Sequence, residues 1–93
     1  STSDARLKEN IKDSQVCNAL EQILKIRHRD FDWINGEHVD LGYIAQELEE
    51  INELMVLKPN DDSEFYGVNT FYLMGVITKA IQELYQIVLE SKR

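Results

Sequence analysis

The chain is poor in the residues that build disulfides and common metal sites. Its single cysteine, Cys17, excludes an internal disulfide. Its two histidines, His28 and His38, lie ten residues apart, and without a second cysteine they give no spacing typical of a metal site. We therefore expect no metal and no cofactor. Cys17 falls in an apolar pattern without a basic neighbour, which predicts a small core residue rather than a reactive thiol.

Basic side chains are also scarce. The chain has 10 lysines and arginines against 17 aspartates and glutamates, and its formal net charge is −7. A surface of this sign repels nucleic acid and anionic membranes, so we predict neither as a partner. No stretch approaches the roughly 20 apolar residues that a transmembrane helix needs.

The size of the chain fits one small globular domain. Its 93 residues are 43% hydrophobic and 29% charged, and we treat residues 1–93 as a single domain. A chain this short buries a modest fraction of its surface, so its core is marginal by itself. Domains of this size are commonly stabilised by association, which predicts a partner.

Hydrophobic periodicity and turn residues predict an α+β fold. The predicted elements are a helix at residues 15–26, strands at 30–34 and 38–44, a helix at 45–51, strands at 54–57 and 65–68, and a helix at 70–91. Asp13 or Ser14 is expected to cap the first helix. Asn35-Gly36 between the first two strands favours a type I′ hairpin turn.

The last helix carries more apolar residues than one small core can cover. One stripe follows a heptad pattern of spacings four, three, four and three, and consists of Leu73, Ile77, Ala80, Leu84 and Ile87. A second stripe consists of Val76, Ile81 and Val88. An ordinary core helix is one interpretation. The other, which we favour, is that one stripe packs on its own domain while the other packs on symmetry mates.

Three blocks of sequence occur in a distinctive order. They are Ser3-Asp4-x-Arg6-x-Lys8, Gly42-Tyr43-Ile44-Ala45-Gln46-Glu47 and Ala80-Ile81-Gln82-Glu83-Leu84. With the predicted elements between them, they resemble the C-terminal intramolecular chaperone domain of phage tail fibres and spikes, of which the endosialidase tailspikes are the name-giving members. The resemblance extends from Ser3 to about Leu84. One departure is Asn52, where many relatives carry a proline.

The resemblance implies a chaperone that acts on its own chain. Such a domain assembles as a homotrimer, helps an upstream β-rich stalk to fold, and then releases itself by cutting the chain before the motif serine. The cleavage pair of the family is a serine and a lysine, which correspond here to Ser3 and Lys8, and the scissile bond is Thr2–Ser3. The implied activity is that of a serine endopeptidase that acts once in cis and needs no cofactor. The implied location is a virion precursor, a tail or neck appendage assembled in the host cytoplasm.

We expect particular parts of the chain to perform these tasks. Residues 1–13 are expected to form the cleavage segment, and the helix at residues 70–91 is expected to cluster around the threefold axis of the trimer. The interface residues would be the heptad stripe Leu73, Ile77, Ala80, Leu84 and Ile87. The hairpin at Asn35-Gly36, or the loop at Pro59, is expected to reach toward the stalk.

The proposed chemistry places a demand on local geometry. A serine hydroxyl needs an adjacent base, and a lysine serves as one when it is neutral. Arg6 could supply a field that favours the neutral lysine, and Asp4 is better interpreted as a structural residue or a backbone acceptor. Residues five apart share no face of a helix or a strand. The segment must therefore bend, and we expect something outside it to hold the bend, which would make cleavage depend on assembly.

Other interpretations of the same residues stay open. The opening segment could be an ordinary surface loop or the dead motif of a trimerisation cap that does not cleave. A third possibility is a self-cleaving domain from a membrane-bound transcription factor of the myelin-regulator kind, although a chain end at Arg93 without a following membrane helix favours the phage interpretation. Because the chain begins at Ser1 rather than Ser3, either the cut has not occurred, or the first two residues come from elsewhere, or Ser1 marks a different boundary. We favour an isolated domain that cannot cut a substrate peptide it hardly contains. Ser1 is the next candidate nucleophile.

Overall fold

The computed structural model describes residues 2–92. Its elements are a 3₁₀ turn at Ala5–Leu7, helix α1 at Ala19–Leu24, strand β1 at Arg29–Asp32, strand β2 at His38–Gly42, helix α2 at Ala45–Ile51, a 3₁₀ turn at Glu53–Met55, strand β3 at Val56–Leu57, strand β4 at Gly67–Val68 and helix α3 at Thr70–Ser91. The strands form two separate antiparallel hairpins, β1–β2 and β3–β4. The predicted α+β class with one long C-terminal helix is confirmed.

Helices α2 and α3 lie where the sequence predicts them. Helix α3 begins at Thr70 because the side-chain oxygen of Asn69 accepts the backbone N–H of Tyr72 at 3.2 Å. The backbone N–H of Asn69 donates to the carbonyl of Met55 at 2.9 Å. This bond ties the start of the long helix to the segment that enters β3.

Helix α1 is shorter than predicted, and its N-terminal cap is not Asp13 or Ser14. It begins at Ala19 because the carboxylate of Glu83, on α3, accepts the backbone N–H groups of Ala19 and Leu20 at 3.1 and 2.8 Å. The predicted first turn does not form, and there the hydroxyl of Ser14 accepts a backbone N–H two residues on. A cap that is distant in sequence therefore decides where this helix starts.

The segment before α1, which we call the N-terminal arm (residues 8–18), has neither helix nor strand structure. Cys17 lies on this arm and is exposed, so the prediction of a buried cysteine is wrong. The apolar pattern around Cys17 has a helical spacing, but the backbone there is not helical. The apolar helix face that the spacing predicts around Cys17 therefore does not form.

The β1–β2 hairpin turns through a three-residue loop rather than a type I′ turn. The Gly36 N–H donates to the Trp33 carbonyl at 2.8 Å, and the Trp33 N–H donates to the Glu37 carbonyl at 2.6 Å. Gly36 has a φ of 102°, whereas Asn10 is the one non-glycine residue in the range 2–92 with a positive φ. A type I′ turn needs a positive φ at both central residues, so the prediction for Asn35-Gly36 is wrong in its turn type.

A charged pair joins the base of this hairpin to α2. Arg29 donates to Glu47 through Nε at 2.9 Å and through Nη2 at 2.6 Å. The hydrogen bond raises the pKa of Arg29 and lowers the pKa of Glu47. Phe31 packs over Gly42 on the partner strand, where a Cβ would lie 2.6 Å from the ring. The Arg29–Glu47 pair joins the hairpin to α2, whereas the Phe31–Gly42 contact packs the two strands of the hairpin on each other.

The core lies where α1 and the Glu53–Met55 turn pack on α3, and α2 joins it through that turn and β3. Its buried apolar residues are Ala19, Leu48, Met55, Val56, Leu73, Val76 and Ala80. A polar contact crosses it: the Asn52 amide donates to Gln22 Oε1 at 2.9 Å and to the Tyr72 hydroxyl at 3.3 Å. Asn52, where many relatives were expected to carry a proline, thus joins α1 to α3.

The chain exposes more surface than a compact monomer would. Its accessible surface is 7952 Å², whereas a compact monomer of 10.8 kDa exposes about 5,500 Å². Its radius of gyration is 16.6 Å, whereas a compact domain of this length has one of about 12 Å. Exposed apolar side chains on the second half of α3, among them Leu84, Ile87 and Val88, contribute to this surface. No helix within residues 2–92 has the length and apolarity needed to cross a membrane.

Candidate active site

A tight bend follows Ser3 and turns the chain back on itself. Residues Ala5–Leu7 form one 3₁₀ turn, in which the Leu7 N–H donates to the Asp4 carbonyl at 3.0 Å and the Lys8 N–H donates to the Ala5 carbonyl at 3.1 Å. A 3₁₀ turn has three residues per turn and a short rise, so it reverses direction within a few residues. The predicted bend between Ser3 and Lys8 is therefore present.

The side chain of Asp4 holds this bend. Its Oδ1 accepts the backbone N–H of Arg6 at 2.8 Å and the Nε–H of Arg6 at 3.1 Å, and its Oδ2 accepts Nη2 at 2.9 Å. The Arg6 hydrogen bonds hold the pKa of Asp4 below its usual value, and Asp4 raises the pKa of Arg6. The interpretation of Asp4 as a backbone acceptor is confirmed. The guanidinium of Arg6 pairs with the carboxylate of Asp4. The negative charge of Asp4 therefore offsets the positive charge that Arg6 would place near Lys8.

The bend brings the two predicted site residues into contact. Lys8 Nζ donates to Ser3 Oγ at 2.6 Å. The expectation that something outside the segment must hold the bend is wrong for the single chain, because Asp4 and Arg6 hold it from within. Thr2, the other residue of the predicted scissile bond, is exposed next to this contact. Ser1, the alternative nucleophile, lies outside the described residues.

The Ser3–Lys8 contact is open to water. Both side chains are exposed, and none of the residues of the 3₁₀ turn is buried. A lysine amine accepts a proton only in its neutral form, which withdrawal from water favours. The arrangement therefore places a hydroxyl, on the residue that follows Thr2, and an amine at hydrogen-bonding distance, and both groups are exposed to water.

A second feature is an open cleft of about 830 Å³ between the β1–β2 hairpin and the loop that leads to β4. Apolar and aromatic side chains form its walls, among them Phe31, Trp33, Ile34, Tyr43, Phe65 and Tyr66. The charged residues that line it are all acidic: Asp32, Asp61, Asp62 and Glu64. Phe65 is 93% exposed. The cleft is thus an uncovered apolar surface with a negative rim.

The apolar residues of α3 divide differently from the prediction. Leu73 and Ala80 are buried in the core of their own chain, whereas Ile77, Leu84 and Ile87 are exposed. The reason is that α1 covers the face that carries Leu73, Val76 and Ala80. The five predicted interface residues therefore do not share one free face.

Five of the exposed apolar residues of α3 form a different heptad pattern, which we call the exposed stripe. Its members, spaced three, four, three and four residues apart, are Met74, Ile77, Ile81, Leu84 and Val88. The sequence signal for this stripe was available, but it overlaps the predicted stripe at Ile77 and Leu84. Periodicity alone cannot decide which of two overlapping stripes its own domain covers.

The described residues form no candidate metal centre. Within residues 2–92, no group of three or more histidine, cysteine, aspartate or glutamate side chains is placed to hold a metal ion. The ring nitrogens of His38 lie 2.6 Å from Asp32 and 3.3 Å from Asp30. These contacts raise the pKa of His38, with the Asp32 hydrogen bond as the largest cause.

Comparison with known proteins identifies the family. A family model described as chaperone of endosialidase, which is also named as a peptidase family, matches residues 3–57. The match covers more than half of the chain and includes the Ser3–Lys8 motif and the block that begins at Gly42, whereas the Ala80–Leu84 block lies outside it. Comparisons with curated proteins and with solved structures gave no match. The chain belongs to the chaperone-of-endosialidase family, which supports a chaperone role and relates the domain to peptidases.

Proposed function

We propose that this domain assembles as a trimer, assists the folding of an upstream β-rich stalk, and then releases itself by one cut at Thr2–Ser3. The observation that carries the proposal is the 2.6 Å contact between Lys8 Nζ and Ser3 Oγ, which lies inside the region matched by the family model. Ser3 is the nucleophile and Lys8 is the base. The expected setting is a phage tail or neck appendage that matures by losing this domain.

The cut can be written as an acyl shift followed by hydrolysis. Ser3 Oγ attacks the carbonyl carbon of Thr2, and neutral Lys8 accepts the hydroxyl proton. As the bond from Thr2 carbon to Ser3 nitrogen breaks, Lys8 returns that proton to the nitrogen, leaving an ester between Thr2 and Ser3 Oγ. Water then attacks the ester, which leaves a carboxyl group on Thr2 and restores the Ser3 hydroxyl beside a free amine.

Assembly through α3 is supported by the exposed stripe. Three long helices that place Ile77, Ile81 and Leu84 on a common axis would cover apolar surface that the single chain leaves in water. An accessible surface well above that of a compact monomer fits a subunit that is stable only in an assembly. We propose this stripe, in place of the one that contains Leu73 and Ala80, as the seam of the trimer.

Contact with the stalk is supported by the cleft beside the β1–β2 hairpin. Trp33 and Phe65 are exposed there, on the hairpin and on the Pro59 loop that were expected to reach toward the stalk. The acidic rim favours a stalk segment that carries basic side chains. We propose that this segment occupies the cleft while the stalk folds.

The test uses a longer chain that includes the natural upstream segment. Wild type, Ser3→Ala, Lys8→Ala and Lys8→Arg are compared on a denaturing gel, with Ser14→Ala and Lys12→Ala as matched controls on the arm. We expect a fragment of about this domain's mass from wild type and both controls, and uncut chains from the Ser3 and Lys8 variants. Lys8→Arg fails as well, because arginine stays protonated.

A trimerisation cap without cleavage is the second candidate, and the open position of Ser3 and Lys8 in water favours it. In that case all the chains on the gel stay intact, while light scattering still reports a trimer. Cutting in every variant would contradict the roles of Ser3 and Lys8 and would place the nucleophile elsewhere.

A further inference from the structure

We propose that Asp4 and Arg6 are positioning residues that build the Ser3–Lys8 contact before assembly. Trimerisation and the stalk then act by covering a pair that is already formed, rather than by bringing its members together. This inference rests on the proposed cleavage function, and it concerns residues that neither attack the peptide nor carry its proton.

The first argument is that the bend is local. Among the described residues, each hydrogen bond made by residues 3–8 joins two members of that same stretch. The 3₁₀ turn contains no buried residue, so tertiary packing does not impose it. The geometry of the pair therefore depends on the six residues themselves.

The second argument is that Asp4 performs two separable tasks. Its Oδ1 caps the turn by accepting the backbone N–H of Arg6, as an N-cap does in a helix. The same carboxylate also forms a two-point ion pair with the Arg6 guanidinium. The cap holds the backbone of the turn, and the ion pair keeps the Arg6 side chain away from Lys8.

The third argument concerns what the single chain lacks. Lys8 already reaches Ser3, but both side chains are exposed, and the Arg6 side chain is 88% exposed. An exposed ion pair is weak and is easily screened by salt. Cover by neighbouring subunits would strengthen the Asp4–Arg6 pair and withdraw the Lys8 amine from water at the same time.

Variants of Asp4 separate the two tasks. Asp4→Ser and Asp4→Asn keep a side chain that caps well but remove the ion pair, whereas Asp4→Ala removes both. Arg6→Gln removes the ion pair and leaves the cap. Asp13→Ala, an acidic residue of the arm, is the matched control.

The first measurement is the first-order cleavage rate of the assembled trimer in the longer chain, with light scattering to confirm the trimer. Loss of an N-cap typically lowers the equilibrium constant for forming the capped turn about fivefold. We therefore expect Asp4→Ala to slow cleavage about fivefold or more, because fewer chains hold Lys8 against Ser3. Asp4→Ser and Asp4→Asn should recover part of this loss, and Asp13→Ala should match wild type. A merely structural role would lower trimer stability without this graded recovery. Wild-type rates in a fully trimeric Asp4→Ala chain would overturn the proposal.

The second measurement does not depend on cleavage. In the 93-residue chain, nuclear Overhauser effects between the Ser3 β-protons and the Lys8 ε-protons report the contact directly. We expect them in wild type and Asp13→Ala, weaker in Asp4→Ser and Arg6→Gln, and absent in Asp4→Ala. Undiminished effects in Asp4→Ala, or none in wild type, would overturn the positioning role of Asp4 and Arg6. If wild type fails to cleave but shows the graded effects, the proposed function is wrong and the positioning role stands.

Discussion

Glu83 on α3 caps a helix that lies 63 residues earlier in the chain: its Oε1 accepts the backbone N–H of Leu20 at 2.8 Å. The other carboxylate oxygen accepts the N–H of Ala19. The first N–H groups of a helix have no partner within the helix. The Glu83 carboxylate therefore accepts two donors that would otherwise be buried without a hydrogen bond. The relationship links the long helix to the point where the N-terminal arm leaves the core.

We expect Glu83→Ala to destabilise the fold by about 1–2 kcal/mol, the range for loss of a strong N-cap. Glu83→Gln keeps one acceptor oxygen and should lose less. Urea denaturation at one fixed protein concentration measures the effect, because association shifts apparent stability. Glu90→Ala, at an exposed glutamate of the same helix, is the control. Equal losses for Glu83→Ala and Glu90→Ala would contradict the cap.

The exposed stripe of α3 makes a prediction that distinguishes it from the stripe predicted by sequence. Ile81 belongs to the exposed stripe but not to the predicted interface stripe, and it is 63% exposed, whereas Ile87 belongs to the predicted interface stripe but not to the exposed stripe. We expect Ile81→Asp to reduce the mass in solution from that of a trimer to that of a monomer, because it places three carboxylates on one axis. Ile87→Asp should leave the trimer intact. Light scattering with size-exclusion chromatography at micromolar concentration gives both masses. A monomeric wild type would contradict a trimer interface on either stripe.

The Asn52 contact predicts a cost for the residue that many relatives were expected to carry. The Asn52 N–H donates to the Leu48 carbonyl at the end of α2, and its amide donates to Gln22 and Tyr72. Asn52→Ala removes the donor to Oε1 of the buried Gln22, whose amide nitrogen still donates to Asn18, and we expect a loss of about 1–3 kcal/mol. Asn52→Pro also removes the backbone donor and should lose at least as much. Thermal unfolding compares the two variants, and an Asn52→Pro chain as stable as wild type would mean that the polar contact contributes nothing.

Local signals were enough to predict α2 and α3. Asn69 stands directly before the apolar repeat of α3, and residues 45–51 are strong helix formers. Helix α1 was predicted too long because its start depends on Glu83, and a cap from a distant element leaves no mark in the local sequence. The turn at Asn35-Gly36 was predicted as a hairpin, but its type depends on one backbone angle at Asn35.

The candidate site was predictable in part. The spacing of Ser3 and Lys8 showed that a bend was needed, and the family resemblance selected those two residues. The means of bending was visible in Asp4-x-Arg6, since an aspartate two residues before a backbone donor is a common turn signal. The free face of α3 was not predictable, because it depends on which side α1 covers.

The β1–β2 hairpin should respond to pH through His38. Asp32 and Asp30 raise the pKa of His38 above its ordinary value, so the folded chain favours the protonated ring. This contribution to stability is fully present below the unfolded pKa of about 6.5 and is lost as the pH rises through the higher folded value. An NMR titration of the His38 ring should give a midpoint above the ordinary one, and Asp32→Asn should bring it down. A midpoint that Asp32→Asn leaves unchanged would exclude the carboxylate as its cause.

The cleft beside the β1–β2 hairpin is the surface through which we expect this domain to assist the folding of the upstream stalk. Trp33→Ala and Phe65→Ala remove aromatic walls of the cleft, and an aromatic anchor lost from an interface typically weakens binding roughly tenfold. We therefore expect a lower yield of protease-resistant, trimeric stalk when the longer chain is refolded. Leu41→Ala is the matched control, because Leu41 is an exposed apolar residue of the same hairpin that does not line the cleft. The yield should also fall as salt is added, since the negative rim attracts a basic segment and salt screens that attraction. Full yields in both aromatic variants would contradict a stalk contact at the cleft and would indicate another surface of the domain.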